Sequence, residues 1–413
     1  MSKTFFHNIL IINERINKMR VLIVGIDGYL GWSLAQYLTA RGYEVGGIDA
    51  YFRREQVKEI GSQSAIPIAK PEERIQAYKE KYNKEIYWID GDVTDWETLL
   101  TVFKEFQPES IVHLGENPSA PYSMIDQTHA TWVHKNNVIG SLNVLYAMKE
   151  VTPEAHLVKL GTMGEYGTPN LDIPEGFFEV EYRGRKDYLM FPRQAGSWYH
   201  QTKVHDTNNT IFACKIWGLR STDIMQGVVY GTRIDKMEME DPRLRTRLDF
   251  DECFGTAINR FACQATVGEP LTPFGKGNQK RGFLSLRDSM QCLTIALENP
   301  PKEGEYRTFN QFEETYNVYE LAEKVKKVAN ELGLNAEIHR IENPRVEMEE
   351  HYYKPDHQHL LDLGYKPTHD MEAELRLMFE DLVPNRERIN SVKEVLIPKI
   401  RWDGSKHRSK LID

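Results

Sequence analysis

The sequence predicts an α/β fold in which a doubly wound parallel sheet forms the larger part and a mixed α/β lobe forms the smaller part. Two observations lead to this prediction: short apolar runs alternate with helical segments, and the alternation weakens after Gly227. The chain of 413 residues also exceeds the ~100–200 residues of one ordinary domain. We expect an N-terminal extension over residues 1–18, a first domain over 19–226 to which later segments return, and a second lobe with a C-terminal tail over 227–413.

The individual elements follow from the pattern of apolar residues. Arg20–Gly25 is a short apolar run ended by glycine, which is typical of a strand buried on both faces. The other strands are predicted over Glu44–Asp49, Glu85–Asp90, Ser110–Leu114 and His156–Leu160. Helices are predicted over Leu30–Ala40, Trp96–Phe106, Val138–Lys149, Phe254–Val267 and Val318–Glu331. Between the second and third strands, the polar residues 62–82 are expected to form an excursion over a cofactor or a partner chain.

The composition argues against several classes of function. Lys and Arg total 52 against 61 Asp and Glu, so the formal net charge is −9, and no basic face for nucleic acid is expected. The basic runs Arg243–Arg247 and Arg401–Lys410 are short and mixed, which is typical of solvated turns and a loose tail. No apolar stretch approaches the ~18 residues of a membrane span, so membrane insertion is not expected.

The cysteines and the N-terminal residues bear on the compartment. Cys214, Cys253, Cys263 and Cys292 lie far apart without a CxxC spacing, which predicts buried thiols in place of a zinc site or a disulfide framework. Residues 1–18 carry an apolar patch but no small-residue cleavage site, so a signal peptide is not expected. We therefore expect no metal and a cytoplasmic location.

A glycine-rich turn follows the first strand and predicts a dinucleotide site. The run Gly25–Gly31 reads G-x-x-G-x-x-G, which lets the backbone approach a pyrophosphate where a helix N-terminus favours anions. Asp49 lies at the tip of the second strand, where a carboxylate accepts hydrogen bonds from ribose hydroxyls and disfavours a 2′-phosphate. This pattern favours a Rossmann-type domain that binds NAD; the alternative is that the glycines only make a tight turn. The expected cofactor-binding residues are Gly25, Gly28, Tyr29, Leu30, Gly31, Asp49, Arg53, Arg54, Asp92, Val93 and Asn136, together with Tyr199 and Lys203.

A second pattern, Tyr-x-x-x-Lys at Tyr199 and Lys203, predicts a reactive phenol. The two side chains share a helix face, and an ammonium one turn from a phenol lowers the pKa of that phenol, which makes it a general base. Thr162 follows the fifth strand, at the edge of the sheet where a ligand crevice is expected, and can hydrogen-bond the same substrate hydroxyl. The alternative is that Tyr199 and Lys203 lie on a solvated helix face.

The glycine turn, the strand-five hydroxyl and Tyr-x-x-x-Lys, in this order, resemble the extended short-chain dehydrogenase/reductase family. The resemblance implies that NAD takes a hydride from, or gives it to, a sugar carbon. Asn136 and Asn137 match the asparagine region of that family, although a helix cap explains one of them equally well.

Longer strings narrow the resemblance to the UDP-sulfoquinovose synthase family. They are the residues 161–170 (GTMGEYGTPN), 119–126 (SAPYSMID), 199–206 (YHQTKVHD), 226–231 (QGVVYG) and 343–353 (NPRVEMEEHYY). The resemblance implies a reaction in which UDP-glucose and sulfite give UDP-6-sulfoquinovose through a 4-keto-glucose-5-ene, with NAD recycled in the site. It also implies an enzyme of sulfolipid or glycan biosynthesis, formally classed as a hydrolase, that forms a homodimer or homotetramer.

The resemblance assigns roles to the remaining site residues. Thr162 would polarise the 4-oxygen, Glu165 would act as acid and base at C5 and C6, and Met163 would be an apolar wall beside the glucose ring. His200 would help with the leaving water or the sulfite, although Glu165 as a surface acid, Met163 as packing and His200 as a structural histidine are open alternatives. The expected substrate-binding residues are Thr162, Gln226, Thr272, Phe274, Arg281, Arg345 and Glu347.

Two competing functions stay open on the sequence alone. The same hydride cycle without sulfur would make the chain an NAD-dependent UDP-sugar epimerase or dehydratase. A non-catalytic binder of nucleotide sugars is disfavoured, because Thr162, Tyr199 and Lys203 are all present. The loop after the fourth strand carries Asn117-Pro118 where plant-type members of the family have a basic residue. If that residue holds sulfite or diphosphate in those members, this chain must use another cation or a different sulfur donor.

Overall fold

A computed structural model describes residues 19–234 and 241–412 of the chain. The extension expected over residues 1–18 lies outside the described residues. The strands within them are β1 Arg20–Val24, β2 Glu44–Asp49, β3 Tyr87–Asp90, β4 Ser110–His113, β5 His156–Thr162, β6 Phe177–Tyr182, β7 Arg185–Met190, β8 Arg220–Gln226, β9 Val228–Tyr230, β10 Lys280–Ser285, β11 Tyr306–Gln311 and β12 Glu314–Asn317.

The helices connect these strands and cover both faces of the larger sheet. They are α1 Tyr29–Thr39, α2 Phe52–Glu59, α3 Pro71–Tyr82, α4 Trp96–Phe106, α5 Ala120–Ser123, α6 Gln127–His134, α7 Gly140–Val151, α8 Trp198–Trp217, α9 Ala257–Val267, α10 Leu286–Glu298, α11 Val318–Glu331, α12 Gln358–Asp362, α13 Met371–Leu382 and α14 Arg386–Asn390. A π-helical turn over Lys135–Ile139 joins α6 to α7.

Seven parallel strands form the larger sheet, in the order β11-β8-β5-β4-β1-β2-β3. The predicted fold class is confirmed. Because the chain runs outward in both directions from β1 and β4, the carboxyl ends of these central strands enclose a crevice where ligands bind in such sheets. Strand β11 shows that a late segment of the chain returns to this sheet. The domain boundary at residue 226 itself stays a proposal.

The smaller sheet has the order β12-β10-β9 and packs with helices α9, α11 and α13 around a second apolar core. Strand β9 follows β8 directly, so the two sheets are joined by a short connection at Gly227. This glycine is required there, because a Cβ atom would lie 2.7 Å from the carbonyl oxygen of Gly282. The lobe is therefore held close to the carboxyl end of β8, where the crevice opens.

Three segments differ from the sequence-based expectation. Within residues 62–82, helix α3 packs its Tyr78 into the first core and its Arg74 bonds Asp27, so this segment belongs to the domain in place of covering the crevice. The run Arg243–Arg247 is not wholly solvated, because Arg247 is buried and paired with Asp249 at 3.0 Å. The tail is anchored too: the backbone N–H of Trp402 donates to the carbonyl of Pro344.

Residues 19–234 and 241–412 contain neither a membrane-spanning helix nor a cluster of metal-ligating side chains. Each helix there is too short or too polar to traverse a lipid bilayer. In the same ranges, no three or more His, Cys, Asp or Glu side chains are grouped so that they could hold a metal ion. All four cysteines are buried and free.

Candidate active site

One large cavity, of about 740 Å³, opens between the carboxyl ends of the parallel strands and the smaller lobe. Most of the residues predicted for a site line it: Gly25, Gly28, Tyr29, Leu30, Gly31, Asp49, Arg53, Asp92, Val93, Asn136, Thr162, Met163, Tyr199, His200, Lys203, Gln226, Phe274, Arg281, Arg345 and Glu347. Three predicted residues, Arg54, Glu165 and Thr272, do not line it. The glycine turn, the Tyr-x-x-x-Lys helix and the cationic lobe therefore face a common space.

The glycine turn is a cradle that only glycine can build. Gly25 has φ +89°, in the left-handed region that favours glycine. A Cβ atom on Gly31 would lie 2.1 Å from the carbonyl oxygen of Gly25. Helix α1 begins directly after Gly28, and no side chain caps its first turn. Its first N–H groups can therefore receive the phosphate oxygens of a dinucleotide, which fits the residues present.

Asp49 lies at the end of β2 and accepts two backbone hydrogen bonds, from Asp27 at 2.8 Å and from Tyr51 at 2.7 Å. Burial, together with the charge of Asp27, raises the pKa of Asp49 to about 6. At neutral pH the carboxylate is largely ionised and keeps acceptor capacity for ribose hydroxyls. Its position at the cavity wall fits the predicted contact with an adenosine ribose.

The two arginines after Asp49 have different surroundings. Arg53 lines the cavity, pairs with Asp249 at 3.0 Å and lies over the ring of Phe254. Arg54 turns the other way and binds Asp27 through two hydrogen bonds of 2.6 and 2.7 Å. The prediction that Arg54 contacts the cofactor is therefore wrong: a buried carboxylate on the glycine turn takes its guanidinium.

Asn136 lies in the π-helical turn between α6 and α7. Such turns often occur at functional sites, because the extra residue displaces a side chain from the regular helix face. The Asn136 amide donates to the side-chain oxygen of Asn137 at 3.0 Å, and Asn137 donates to the carbonyl of Asn117. Neither asparagine caps a helix. This pair fixes the loop after β4 against the helix at the floor of the cavity.

The predicted reactive group is the phenol of Tyr199, on the first turn of α8. It is buried, and it lies near the Thr162 side chain at the end of β5. The Ser197 hydroxyl caps the helix by accepting from the N–H of His200, and the Tyr199 N–H donates to Ser123. These bonds set the start of the helix, so the phenol and the threonine hydroxyl can meet one substrate oxygen.

Lys203 lies one turn further on and is bound to a carboxylate that the sequence patterns did not reveal. Its ammonium lies 2.6 Å from Glu116, in the loop after β4, and both side chains are buried. Burial alone would lower the pKa of Lys203, but Glu116 and neighbouring acids outweigh burial and raise it. Lys203 is therefore a fixed cation in the cavity wall, suited to hold ribose hydroxyls.

The expected effect on the Tyr199 phenol is not seen in the ligand-free protein. Burial raises the pKa of Tyr199, and the charges of Glu116 and Glu165 raise it further. The expectation that Lys203 alone brings this pKa towards neutrality is therefore wrong, because Glu116 compensates the ammonium. An additional positive charge beside the phenol is needed to favour the phenolate.

Glu165 is a support residue and not an acid at the cavity surface. Its side chain is fully buried, accepts from the Thr162 N–H at 3.3 Å, and pairs with Arg193 at 3.1 Å. Thr207 of α8 donates to it at 3.1 Å. The prediction that Glu165 works at C5 and C6 conflicts with this geometry. The carboxylate instead joins the end of β5 to α8 and so positions Thr162.

Met163 and His200 form the wall between Thr162 and the smaller lobe. Met163 lines the cavity and also packs in an apolar cluster with Phe312. The His200 ring contacts Gly164 so closely that a Cβ atom there would lie 2.2 Å from its Nε2. Burial lowers the pKa of His200 to about 3. The imidazole is therefore neutral at physiological pH. It can form a hydrogen bond with a ligand, but it brings no positive charge to it.

The smaller lobe contributes cations to the other end of the cavity. Arg281 pairs with Glu347 at 3.0 Å. Among the described residues, no carboxylate forms an ion pair with Arg345 within 4 Å. Its guanidinium lies over the ring of Trp402. Two planar guanidinium groups at one wall suit the oxygens of a diphosphate.

Near Phe274, one residue predicted to contact the substrate lies away from the cavity, and two residues that were not predicted belong to its surroundings. Thr272 is buried away from the cavity, where its hydroxyl accepts from Gln264 at 2.7 Å, so its predicted substrate contact is wrong. Arg260 of α9 lies over the Phe274 ring instead. Gln279 lines the cavity with both amide atoms buried and without a hydrogen-bond partner in the protein. No sequence signal marked Arg260 or Gln279, since single polar residues carry no spacing.

Comparison with known proteins gives a family and close relatives. The model of the NAD dependent epimerase/dehydratase family matches residues 21–311. A UDP-sulfoquinovose synthase of Sulfolobus acidocaldarius is 49% identical over 93% of this chain and 98% of its own length. The chloroplastic UDP-sulfoquinovose synthase of Spinacia oleracea is 47% identical over 93% of this chain and 79% of its own.

Solved structures agree on the fold. The UDP-glucose 4-epimerase of Bifidobacterium longum, solved in complex with NAD+ and UDP, superposes with a TM-score of 0.66. The match covers 89% of this chain and 100% of the epimerase, at 16% identity. At that identity the likeness supports the doubly wound architecture alone.

Proposed function

The chain belongs to the NAD dependent epimerase/dehydratase family, and from this premise we propose that it is a UDP-sulfoquinovose synthase. The observation that carries the proposal is the 49% identity to such an enzyme over almost the whole of both chains. The hydrolase class expected from the sequence has no support among these relatives. The substrates are UDP-glucose and sulfite, and the cofactor is NAD.

The residues that hold the cofactor are those of the glycine cradle and its surroundings. The first turn of α1 receives the pyrophosphate, Asp49 receives the adenosine ribose, and Lys203 receives the ribose next to the nicotinamide. When bound, NAD supplies a hydride acceptor, and later a hydride donor, for C4 of the glucose. The positive charge that the oxidised ring brings is also of the sign that the Tyr199 phenolate requires.

The remaining chemistry is done by side chains of the cavity wall. Tyr199 takes the proton of the 4-hydroxyl, and Thr162 hydrogen-bonds the same oxygen and holds it as the ketone forms. The ketone acidifies the C5 proton, so loss of that proton and of the 6-hydroxyl gives a 5,6-alkene to which sulfite adds at C6. With Glu165 buried, we assign the hydrogen bond to the departing water to the neutral His200, which lines this wall.

Substrate binding is assigned to the smaller lobe. Arg281 and Arg345 bind the diphosphate, and Phe274 packs on the uracil ring, with Arg260 behind it. Gln226 at the end of β8 and Gln279 on the lobe supply amide groups, and buried amides without protein partners gain most from a polar ligand. Asn117 is neutral and bonded to Gln56, so we assign the positive charge that attracts the sulfite anion to the arginines of this lobe as a group.

We predict that the protein incorporates labelled sulfite into a nucleotide sugar. Purified protein with bound NAD, incubated with UDP-glucose and labelled sulfite, should yield one labelled product whose mass is that of UDP-glucose with a C6 sulfonate in place of the hydroxyl. Omission of UDP-glucose is the control. A UDP-hexose isomer or a dehydrated sugar without label would instead show an epimerase or a dehydratase.

We also propose a homodimer formed through α7 and α8. Tyr146, Phe212 and Ile216 expose apolar surface, and Tyr146 and Phe212 pack on the Trp217 ring, so the two helices share one apolar face. A second copy of this chain, with the same face, is the proposed occupant.

The cytoplasmic location proposed above rests on the four free cysteines.

The dimer is tested by charging the face. Phe212→Glu should reduce the mass in sedimentation equilibrium to that of a monomer, because two buried carboxylates would face each other. Leu332→Glu is the matched control: Leu332 is similarly exposed but lies at the end of α11 in the smaller lobe. A dimer that survives Phe212→Glu would exclude this face.

A further inference from the structure

A buried acid pair lies behind the Tyr199–Lys203 motif. Glu116 accepts the 2.6 Å hydrogen bond from the Lys203 ammonium. Asp206 follows Lys203 by three residues on the same helix and is completely buried. Neither of its carboxyl oxygens has a hydrogen-bond donor in the protein. Its side chain nevertheless lies within hydrogen-bonding reach of Glu116. When Glu116 is ionised, its carboxylate can accept hydrogen bonds but cannot donate one.

The charges around this pair do not balance if both acids are ionised. The groups that face it are Lys203 on α8, Lys159 on β5 and His113 on β4. Lys159 is already paired with Asp223 at 3.3 Å. Burial lowers the pKa of His113 to about 4, so this imidazole is neutral at physiological pH. One ammonium therefore faces two carboxyl groups, and two buried like charges in contact disfavour ionisation of the second acid.

We propose that Glu116 and Asp206 share one proton, so that the pair carries a single negative charge and acts as a positioning unit for the Lys203 ammonium. In this arrangement the Asp206 hydroxyl donates to Glu116, and Glu116 accepts from Lys203. The proton gives one of the two unpartnered Asp206 oxygens an acceptor, and Glu116, which already accepts from Lys203 and from the Ser141 hydroxyl at 3.1 Å, becomes the acceptor of a third hydrogen bond.

The electrostatics of the two groups agree with this arrangement. Burial raises the pKa of Asp206 well above its usual range, and the charge of Glu116 raises it further. For Glu116, burial acts in the same direction, but Lys203 outweighs it and lowers the pKa. The proton therefore resides mainly on Asp206. A second ionised acid here would make Tyr199 harder to ionise, because negative charge nearby raises the pKa of the phenol.

The proposal deepens the role of Tyr199 and Lys203 in the proposed function, and its first test does not need that function. Infrared difference spectra of Asp206→Asn and of Glu116→Gln against the native protein should each lose one protonated-carboxyl stretch. In Asp206→Asn the proton carrier is removed; in Glu116→Gln the remaining Asp206 ionises as the partner of Lys203. The exposed Asp187→Asn, on β7, is the control and should leave that region unchanged.

The second test measures how much negative charge faces Tyr199. In each single variant one negative charge remains, so the acid limb of the pH profile for NADH formation on adding UDP-glucose should stay in place. In the double variant no charge remains, and the limb should move to lower pH by about one unit or more. The NAD content and the melting temperature of each variant are measured alongside, so that an effect of charge is separated from loss of cofactor or of the fold.

Two results would overturn the shared proton. If the carboxyl stretch persists in both single variants, another acid holds the proton. If Asp206→Asn alone moves the acid limb as far as the double variant is expected to, Asp206 is an ionised counter-ion. A protein that forms no NADH would refute the proposed function but would leave the spectral result decisive.

Discussion

Replacing Tyr199 with phenylalanine should lower kcat by about a hundredfold to ten-thousandfold, the usual contribution of a general base. The change removes one oxygen and keeps the ring, which packs in an apolar cluster with Tyr122 and Val133. The fold and the glycine cradle are therefore unaffected. Turnover is measured with UDP-glucose and sulfite, and the NAD content by mass after denaturation.

The control for this substitution is Tyr188→Phe. Tyr188 lies on β7 and is 67% exposed, so loss of its hydroxyl should change neither turnover nor NAD content. If Tyr199→Phe turned over at the native rate, proton removal from the 4-hydroxyl would belong to another group. If it also lost NAD, the effect would be structural and would not bear on the base.

The role tested by Tyr199→Phe bears on the raised pKa of the Tyr199 phenol. In the ligand-free protein the pKa of Tyr199 is raised, because burial and Glu116 outweigh the cations. If Tyr199 is the base, as we propose, a positive charge bound next to it would favour its phenolate, so proton removal is expected to depend on occupancy of the dinucleotide cradle.

The sequence predicted the parts of the site that local pattern determines. The predicted bounds of β2, α4 and α11 agree with the structure, since strands buried on both faces and capped amphipathic helices carry their own signal. The glycine turn and Tyr-x-x-x-Lys were recognised because their residues are a few positions apart. Topology then placed them at the same edge of the sheet.

Arg54 and Glu165 were misplaced, and Glu116 was missed, because their partners lie far along the chain. Arg54 turns away from the cavity because Asp27, on the glycine turn, binds it. Glu165 turns inward because Arg193 lies 28 residues later beside it. Glu116 is separated from Lys203 by 87 residues, and nothing in either local sequence signals that contact. The direction of a single polar side chain is fixed by tertiary packing, which spacing does not encode.

Replacing Gly31 with alanine should abolish NAD binding and destabilise the first domain. The new Cβ atom would lie 2.1 Å from the carbonyl oxygen of Gly25 and 2.9 Å from the Cα atom of Ile26, so helix α1 must move away from the turn. Overpacking of this kind costs about 1–3 kcal/mol in the free energy of unfolding. Because the cradle and the first turn of α1 separate, the pyrophosphate loses its N–H donors. Denaturant unfolding and the absorbance of bound NAD measure the two effects.

Gly61→Ala is the matched control for Gly31→Ala. Gly61 has φ +78°, and a Cβ atom there would meet nothing within 4 Å. This change should cost about 1 kcal/mol of backbone strain in the left-handed region and leave NAD bound. A Gly31→Ala protein that kept its NAD would show that the third glycine is not needed for close approach, and the cradle would have to be assigned to Gly25 and Gly28 alone. The contrast between the two variants separates loss of the anion site from general destabilisation because, of the two glycines, only Gly31 lies in the first turn of the helix whose N–H groups face the cavity.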